Sequence, residues 1–143
     1  MGRVGVIDEP GRTVLLDTCT VLDLAIAPSR IAAAALAELG DPSVNLLVSA
    51  ASAWEISIKT RRGRLAGGER LLNAWQRSLL DLRANPLGID HDDAIRAGGL
   101  PWVHRDPFDR MLVAQAARLN VPLVTRDAVI IDAGVVPTLD TRA

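Results

Sequence analysis

The sequence predicts an α/β protein, a three-layer α/β/α sandwich around a central parallel sheet of about five strands. Short apolar runs at residues 13–17, 44–48, 86–89, 121–125 and 135–139 have the length and composition of buried strands. Segments with helical periodicity or capping signals separate most of them. Strands alternating with helices make a parallel sheet covered on both faces. At 143 residues the chain fits one domain, which buries about 70% of the surface its unfolded chain would expose.

Residues 1–12 contain glycines and a proline with little periodicity. They are expected to form a flexible extension, with one domain from 13 to 143. A helix is expected from Thr18 until Pro28 ends it. Residues 31–39 are alanine-rich and closed by Gly40, a residue suited to a left-handed helix end. Ser49 or Ser52 then caps a helix reaching about Arg62. After Gly67 and Gly68, Leu71, Leu72, Trp75, Leu79 and Leu82 mark one face of a further helix. Asp90 caps a brief helix that Gly98 and Gly99 end. Asp106 before Pro107 pairs an N-cap with a proline at the first helical position. Phe108, Met111, Leu112, Gln115, Ala116 and Leu119 form the inward stripe of that helix, and Asn120 closes it.

Composition excludes some classes and leaves others open. The chain is 49% hydrophobic and 23% charged, the balance of an ordinary globular protein. No apolar stretch approaches the roughly 20 residues that span a bilayer, and residues 1–12 lack the apolar core of a secretory leader. The lone cysteine, Cys19, excludes an intramolecular disulfide and fits a reducing compartment. A cytoplasmic protein without a membrane partner is therefore expected. The net charge of −1 does not point to nucleic acid. Setting aside Asp17, Glu55, Asp106, Asp109 and Asp127 leaves bases in excess, and almost all are arginine, the better bidentate phosphate partner. A genomic coding habit explains the same bias.

The placement of four acids is more informative. Asp17 and Asp127 follow apolar runs, Asp109 lies in the first turn of a helix, and Glu55 lies on a helix that follows a strand. In an open parallel sheet, groups at the carboxyl ends of strands converge on one crevice. Two unit charges about 4 Å apart repel by roughly 4 kcal/mol at an effective dielectric of 20. Such a cluster needs protonation, Arg or Lys partners, or a divalent cation. Magnesium and manganese prefer hard oxygen ligands, acidify bound water and polarise phosphodiesters. Neighbouring carboxylates can orient the water or take its proton. The pattern points to metal-assisted phosphodiester hydrolysis.

Each acid also has a structural reading. Asp106 is first of all an N-cap, and Asp109 favours the helix dipole. Glu55 can close a capping box with Ser52 or pair with Lys59. Asp127 can cap the next segment, and Asp17 can begin a turn. These readings suffice one at a time, but they do not explain why two strand ends and two helix faces are all acidic. Other residues carry less. Cys19 has no recognised spacing to His91 or His104, and His104 reads as an exposed loop residue. The patch Arg61-Arg62-Gly63-Arg64 with Lys59 reads as solvated helix-end charge before it reads as an RNA contact. Trp54 and Trp75 sit in helical patterns that favour core packing over base stacking. No glycine-rich phosphate loop is present.

Leu15-Leu16-Asp17-Thr18, Ala53-Trp54-Glu55-Ile56-Ser57-Ile58-Lys59, the stretch from Asp106 to Ala116, and Leu123-Val124-Thr125-Arg126-Asp127 together resemble the PIN-domain ribonucleases. The closest match is to the VapC toxin branch of prokaryotic toxin–antitoxin pairs, over residues 13–139. The resemblance implies endonucleolytic RNA cleavage with Mg²⁺ or Mn²⁺ in a PIN-like fold. It implies a homodimer, a heterotetramer or larger with antitoxin, and inhibition by a cognate VapB-type antitoxin that covers the acidic site. Asp17, Glu55, Asp109 and Asp127 match the family's four acids. Asp17 and Asp109 would hold the principal metal, while Glu55 and Asp127 complete the site or position water. Thr18 and Thr125 fall where relatives place hydroxyls beside the metal. Cys19 stands where many relatives carry histidine.

Two other readings compete. Asp17-Thr18-Cys19-Thr20-Val21 approaches the D-x-D-x-[TV] motif of haloacid-dehalogenase-like phosphatases, but Cys19 replaces the second aspartate. Alternatively, the fold serves as a non-catalytic RNA- or protein-binding module whose acids are held by Arg or Lys.

Overall fold

The structure, a computed structural model, describes residues 12–143. The expected flexible extension, except Arg12, lies outside the described residues. Strand β1 (Thr13–Leu16) leads to α1 (Thr18–Ile26), a 3₁₀ turn (Pro28–Arg30), α2 (Ala33–Leu39) and β2 (Asn45–Ser49). Helices α3 (Ala50–Arg61), α4 (Gly68–Asn73) and α5 (Trp75–Asp81) precede β3 (Ala84–Leu87). Then come α6 (His91–Gly99), α7 (Pro107–Leu119), β4 (Leu123–Thr125), α8 (Ala128–Ala133) and β5 (Thr138–Asp140). The five strands are all parallel, in the order β3-β2-β1-β4-β5.

Period-two alternation along the buried strands builds the three layers. Val14, Leu16, Leu46, Val48 and Val124 enter one core with Val21, Leu39, Ile56 and Leu71. Leu15 and Leu123 enter the other with Leu112, Val113, Ala116 and Ile130. Successive side chains of a strand point to opposite faces, so a run buried on both sides must be apolar throughout. That is why Val14-Leu15-Leu16 shows no polar alternation.

The caps follow the sequence closely. Asp106 accepts from the backbone of Phe108 and Asp109, at 2.9 and 3.0 Å, with Pro107 at the start of α7. Asn120 closes α7 in the left-handed region, at φ 57°. Asp90 and Asp93 form a reciprocal capping box on α6. Asp90→Ala is expected to cost about 1 kcal/mol, read as a lower urea midpoint with an unchanged slope.

Several elements differ from expectation. Gly40 is right-handed, at φ −83°, because its N–H turns back to Leu36 and the chain passes directly into Asp41-Pro42. The single helix expected after Gly68 is two, broken at Ala74 (φ −116°, ψ 31°). Of the two serines expected to cap α3, Ser49 does so, as anticipated, accepting from Ala51 N at 3.0 Å. Helix α8, capped by Asp127, was not expected as a helix. The last strand starts at Thr138, because Gly134 takes φ 63° and the chain turns before it can pair. Helix α7 buries Val113 and Ala114 beside the expected Leu112, Gln115 and Ala116, since it packs on both the sheet and α6. Among the described residues, no helix is long and apolar enough to cross a membrane.

Candidate active site

From β1 the chain proceeds to β2 and β3 on one side of the sheet, while β4 and β5 lie on the other. The order therefore reverses between β1 and β4, the place where an open α/β sheet leaves a crevice beyond its strand ends. Asp17 follows β1 directly, and Asp127 lies two residues past β4. The ends of β1 and β4 are joined there through the backbone, where Asp17 N donates to Val124 O at 2.9 Å.

One hydroxyl organises this junction. Thr125 Oγ1 donates to Asp17 Oδ2 at 2.6 Å and accepts from Asp127 N at 2.9 Å. Asp17 Oδ1 accepts from Thr18 N at 2.7 Å, capping α1. Cys19 Sγ donates to Asp17 Oδ2 at 3.3 Å. Burial and the nearby Asp17 charge push the thiol up to about 11, so it is a neutral donor and not a nucleophile. Thr18 Oγ1 lies 2.9 Å from Ser52 Oγ, joining α1 to α3 one turn before Glu55. Arg126 Nε donates to buried Asp23 at 2.9 Å, tying the loop after β4 to α1.

Asp17, Glu55 and Asp109 are 4, 7 and 9% exposed. Asp106 and Asp127 are half-buried. Burial raises the Asp17 carboxyl above the ordinary range; its three donors oppose that, and the Glu55 charge adds to it. Burial, followed by the charges of Asp106, Asp17 and Asp127, pushes Asp109 up to about 6 against a hydrogen bond from His104. The four predicted acids thus lie near enough for their charges to act on one another in turn, Glu55 on Asp17, and Asp17 and Asp127 on Asp109. Asp106 spends its Oδ1 on the α7 backbone, as its capping role requires.

Three neighbours of the acids escaped the sequence. His104 is not a free loop residue, because its Nε2 lies 2.7 Å from Asp109 Oδ2 and its ring packs on Trp102, centroids 4.8 Å apart. The ring donates whenever the carboxylate is ionised. Arg110 fixes the loop that carries His104. Its five N–H groups donate to the carbonyls of Ala97, Gly98, Leu100, Trp102 and His104, at 2.7–3.3 Å. Trp54 is exposed rather than buried, contrary to its helical spacing. The signals were local: His104 lies five residues before Asp109, and Arg110 directly follows it.

Lys59, the chain's only lysine, pairs with Glu55 Oε2 at 2.9 Å one turn along α3. Asp106 and Asp109 also act on its charge. Glu55 Oε1 is buried and has no hydrogen-bond partner among the described residues. Among the described residues, no three Asp, Glu, His or Cys side chains converge closely enough to enclose a cation by themselves. Magnesium does not require that, since it keeps several waters and uses one or two carboxylates plus phosphate. The hard-oxygen donors, the orphaned Glu55 oxygen and the raised acids fit such an ion.

Without metal, this cluster has a pH signature. A carboxyl raised in the folded state contributes stability that is full below its unfolded value and lost as pH rises through the folded one. For Asp109 that loss runs from about 4 up through about 6. In chelator, thermal midpoints are expected to fall as pH rises from about 4 through about 6 and to level off above that. Asp109→Asn should flatten the fall, and Mn²⁺ at pH 7.5 should reverse it. A chelated protein that melts higher at pH 7.5, with no response to Mn²⁺, would show that these acids are not the strained group.

The model of the family described as PIN domain matches residues 14–136. No curated protein matches the chain. Among solved structures, VapBC2 from Rickettsia felis, bound to a DNA fragment from their promoter, aligns with TM-score 0.64 at 13% identity. That alignment covers 90% of this chain and 98% of that one. FitAcB from Neisseria gonorrhoeae aligns with TM-score 0.59 at 21% identity, over 90% and 97%. A toxin–antitoxin complex from Klebsiella pneumoniae aligns with TM-score 0.60 at 21% identity, over 87% and 96%.

Proposed function

Because the chain belongs to the PIN domain family, we propose that it is a metal-dependent endoribonuclease, the toxin of a VapBC-type pair. The observation that carries this reading is the pair Asp17 and Asp109. Both are buried, both are raised, and among the described residues neither forms an ion pair with arginine or lysine. Asp17 and Asp109 would hold Mg²⁺ or Mn²⁺. When bound, such an ion polarises the phosphodiester and acidifies a water.

The remaining chemistry belongs to the chain. Thr125 and Thr18 N fix both oxygens of Asp17, so its carboxylate is held in one orientation before substrate arrives. His104 does the same for one oxygen of Asp109. Glu55 Oε1, which has no hydrogen-bond partner among the described residues, can accept a proton or a hydrogen bond from the attacking water. Asp127 gives Oδ1 to the α8 backbone and keeps its other oxygen for the site. Lys59 offsets part of the negative charge and can donate to a phosphate oxygen.

The substrate in this reading is RNA in the cytoplasm. The partners are a cognate VapB-type antitoxin covering the acids and a second copy of the chain as a homodimer. The toxin–antitoxin character of the similar structures supports the antitoxin. The test is to incubate purified protein with single-stranded RNA and Mn²⁺ or Mg²⁺, then map the new ends. Cleavage that chelator abolishes is expected. Absence of cleavage in both metals, together with absence of Mn²⁺ binding at neutral pH, would instead support the non-catalytic module.

A further inference from the structure

Arg61, Arg62 and Arg64 follow Lys59 at the end of α3, and all three are exposed. Among the described residues none of them forms an ion pair. Elsewhere the chain pairs Arg77, Arg96, Arg118, Arg126 and Arg142 with acids and spends Arg110 on carbonyls. Basic side chains at a helix end commonly take up its last carbonyls. Here the backbone does so instead, in a Schellman motif. Arg64 N donates to Lys59 O and Gly63 N to Thr60 O, both at 3.0 Å, and Arg62 N donates to Ile58 O at 3.1 Å. Gly63 makes this possible by taking φ 67°. The arginine side chains therefore have no capping to do.

Residues three and four apart share a helix face. Glu55, Lys59 and Arg62 thus form one row, about 10 Å long, that leads away from the acids. Its connection to them is direct. The Lys59 ammonium lies 2.9 Å from Glu55 Oε2, and the charges of Asp106 and Asp109 reach it. The turn at Gly63 brings the Arg64 backbone back against Lys59, and the loop beyond is held to the helix. A Cβ on Gly68 would meet Thr60 Oγ1 at 2.1 Å, and Leu65 packs on the core. Arg61, two residues from Lys59, lies on another face. We propose that Lys59, Arg62 and Arg64 form a track for the RNA backbone, holding phosphates that flank the one at the acids. The proposal rests on the ribonuclease reading and adds to it the path of the strand.

Two observations favour the substrate strand as the occupant. The first is charge. A protein of net charge −1 gathers these cations in one short stretch and leaves its arginines without acids, and arginine matches phosphate with two parallel hydrogen bonds. The second is continuity, through the Glu55–Lys59 contact. A phosphate entering a cluster of carboxylates is repelled by them, and cations placed along its approach offset that repulsion. Such contacts go to phosphate alone, so the track fixes where the strand lies and leaves sequence choice to other groups.

The test uses the full chain, with Arg61→Ala, Arg62→Ala, Arg64→Ala and Arg62→Lys, and circular dichroism to verify folding. Binding of a short single-stranded RNA is measured in chelator by fluorescence anisotropy over a series of salt concentrations. On a single strand the logarithmic salt slope of the binding constant is about 0.7 for each phosphate neutralised. Arg62→Ala and Arg64→Ala are each expected to flatten the slope by about 0.7, and Arg62→Lys to keep it. Arg61→Ala removes the same charge from the other face and is expected to leave the slope as in wild type. Equal flattening by all three alanine variants overturns the track, since it reports net charge and no particular place. So does an unchanged slope in Arg62→Ala and Arg64→Ala, or wild type that binds no RNA at low salt. A glutamate-rich peptide serves as a second probe. If Arg62→Ala and Arg64→Ala weaken the peptide while the RNA slope stays as in wild type, the cations serve an acidic protein partner and the track is refuted. Because binding is read without metal, the two readings fail separately. Absence of cleavage with the slope pattern present refutes the ribonuclease reading and leaves an RNA-binding module, while cleavage without the pattern refutes the track alone.

Discussion

Asp109→Asn is expected to reduce metal-dependent RNA cleavage by about 10²- to 10³-fold, the loss typical of removing one charge contact to a transition state. The protein should melt no lower than wild type in chelator. Asparagine keeps the shape of the side chain and can still accept from His104, but it removes a negative charge that burial and three neighbouring acids oppose. A simple structural acid behaves otherwise, since its loss lowers stability and leaves chemistry intact. The measurement is initial cleavage rate with Mn²⁺ beside a thermal melt without it. Asp109→Asn protein that cleaves as fast as wild type would falsify the assignment. Asp17→Asn should lose activity similarly. It carries a stability cost that Asp109→Asn does not, because Asp17 also caps α1 and anchors Thr125.

Arg110→Ala is expected to destabilise the fold by about 3 kcal/mol, since several carbonyls lose their only charged donor and part of that group is shielded from water. For a chain of this length the thermal midpoint should fall on the order of 10 °C. Lysine restores little, because one ammonium cannot direct five donors in a plane at five carbonyls. Hydrogen exchange should rise across residues 98–106 before it rises in the sheet. Cleavage by any folded fraction should also fall, as His104 loses the fixed loop from which it meets Asp109. A midpoint within about 2 °C of wild type would show that solvent replaces the guanidinium and that the loop needs no clamp.

Much of the fold could be read from local pattern. Asp106-Pro107 and Asn120 bracket α7 at its observed ends, because caps act on adjacent backbone groups and need no distant partner. The apolar runs gave strands whose centres were right and whose ends shifted by a residue or more. Strand ends are set by which partner residues pair, as Thr138 with Leu123 shows. The break at Ala74 escaped because helical spacing continues through it, from Leu71 to Leu79. Trp54 escaped for a related reason. Its position on α3 reads as part of an apolar stripe, yet that part of the helix faces a groove instead of a core.

By itself, the sequence determined the α/β class, the parallel sheet and most of the caps, and it singled out the four candidate acids. Those features follow from periodicity, short-range hydrogen bonding and the rule that strand ends converge. Only the tertiary structure decided which acids are raised, and by whom. The shift of Asp109 depends on burial and on the charges of Asp106, Asp17 and Asp127, and of these only Asp106 is placed beside it by spacing in the chain. It also decided that one arginine would hold the His104 loop and that one indole would stand open beside Glu55. Contacts between groups far apart in sequence exist only once the strands have been ordered, and with β1 beside β4 that order brings Asp17 and Thr125 within one hydrogen bond.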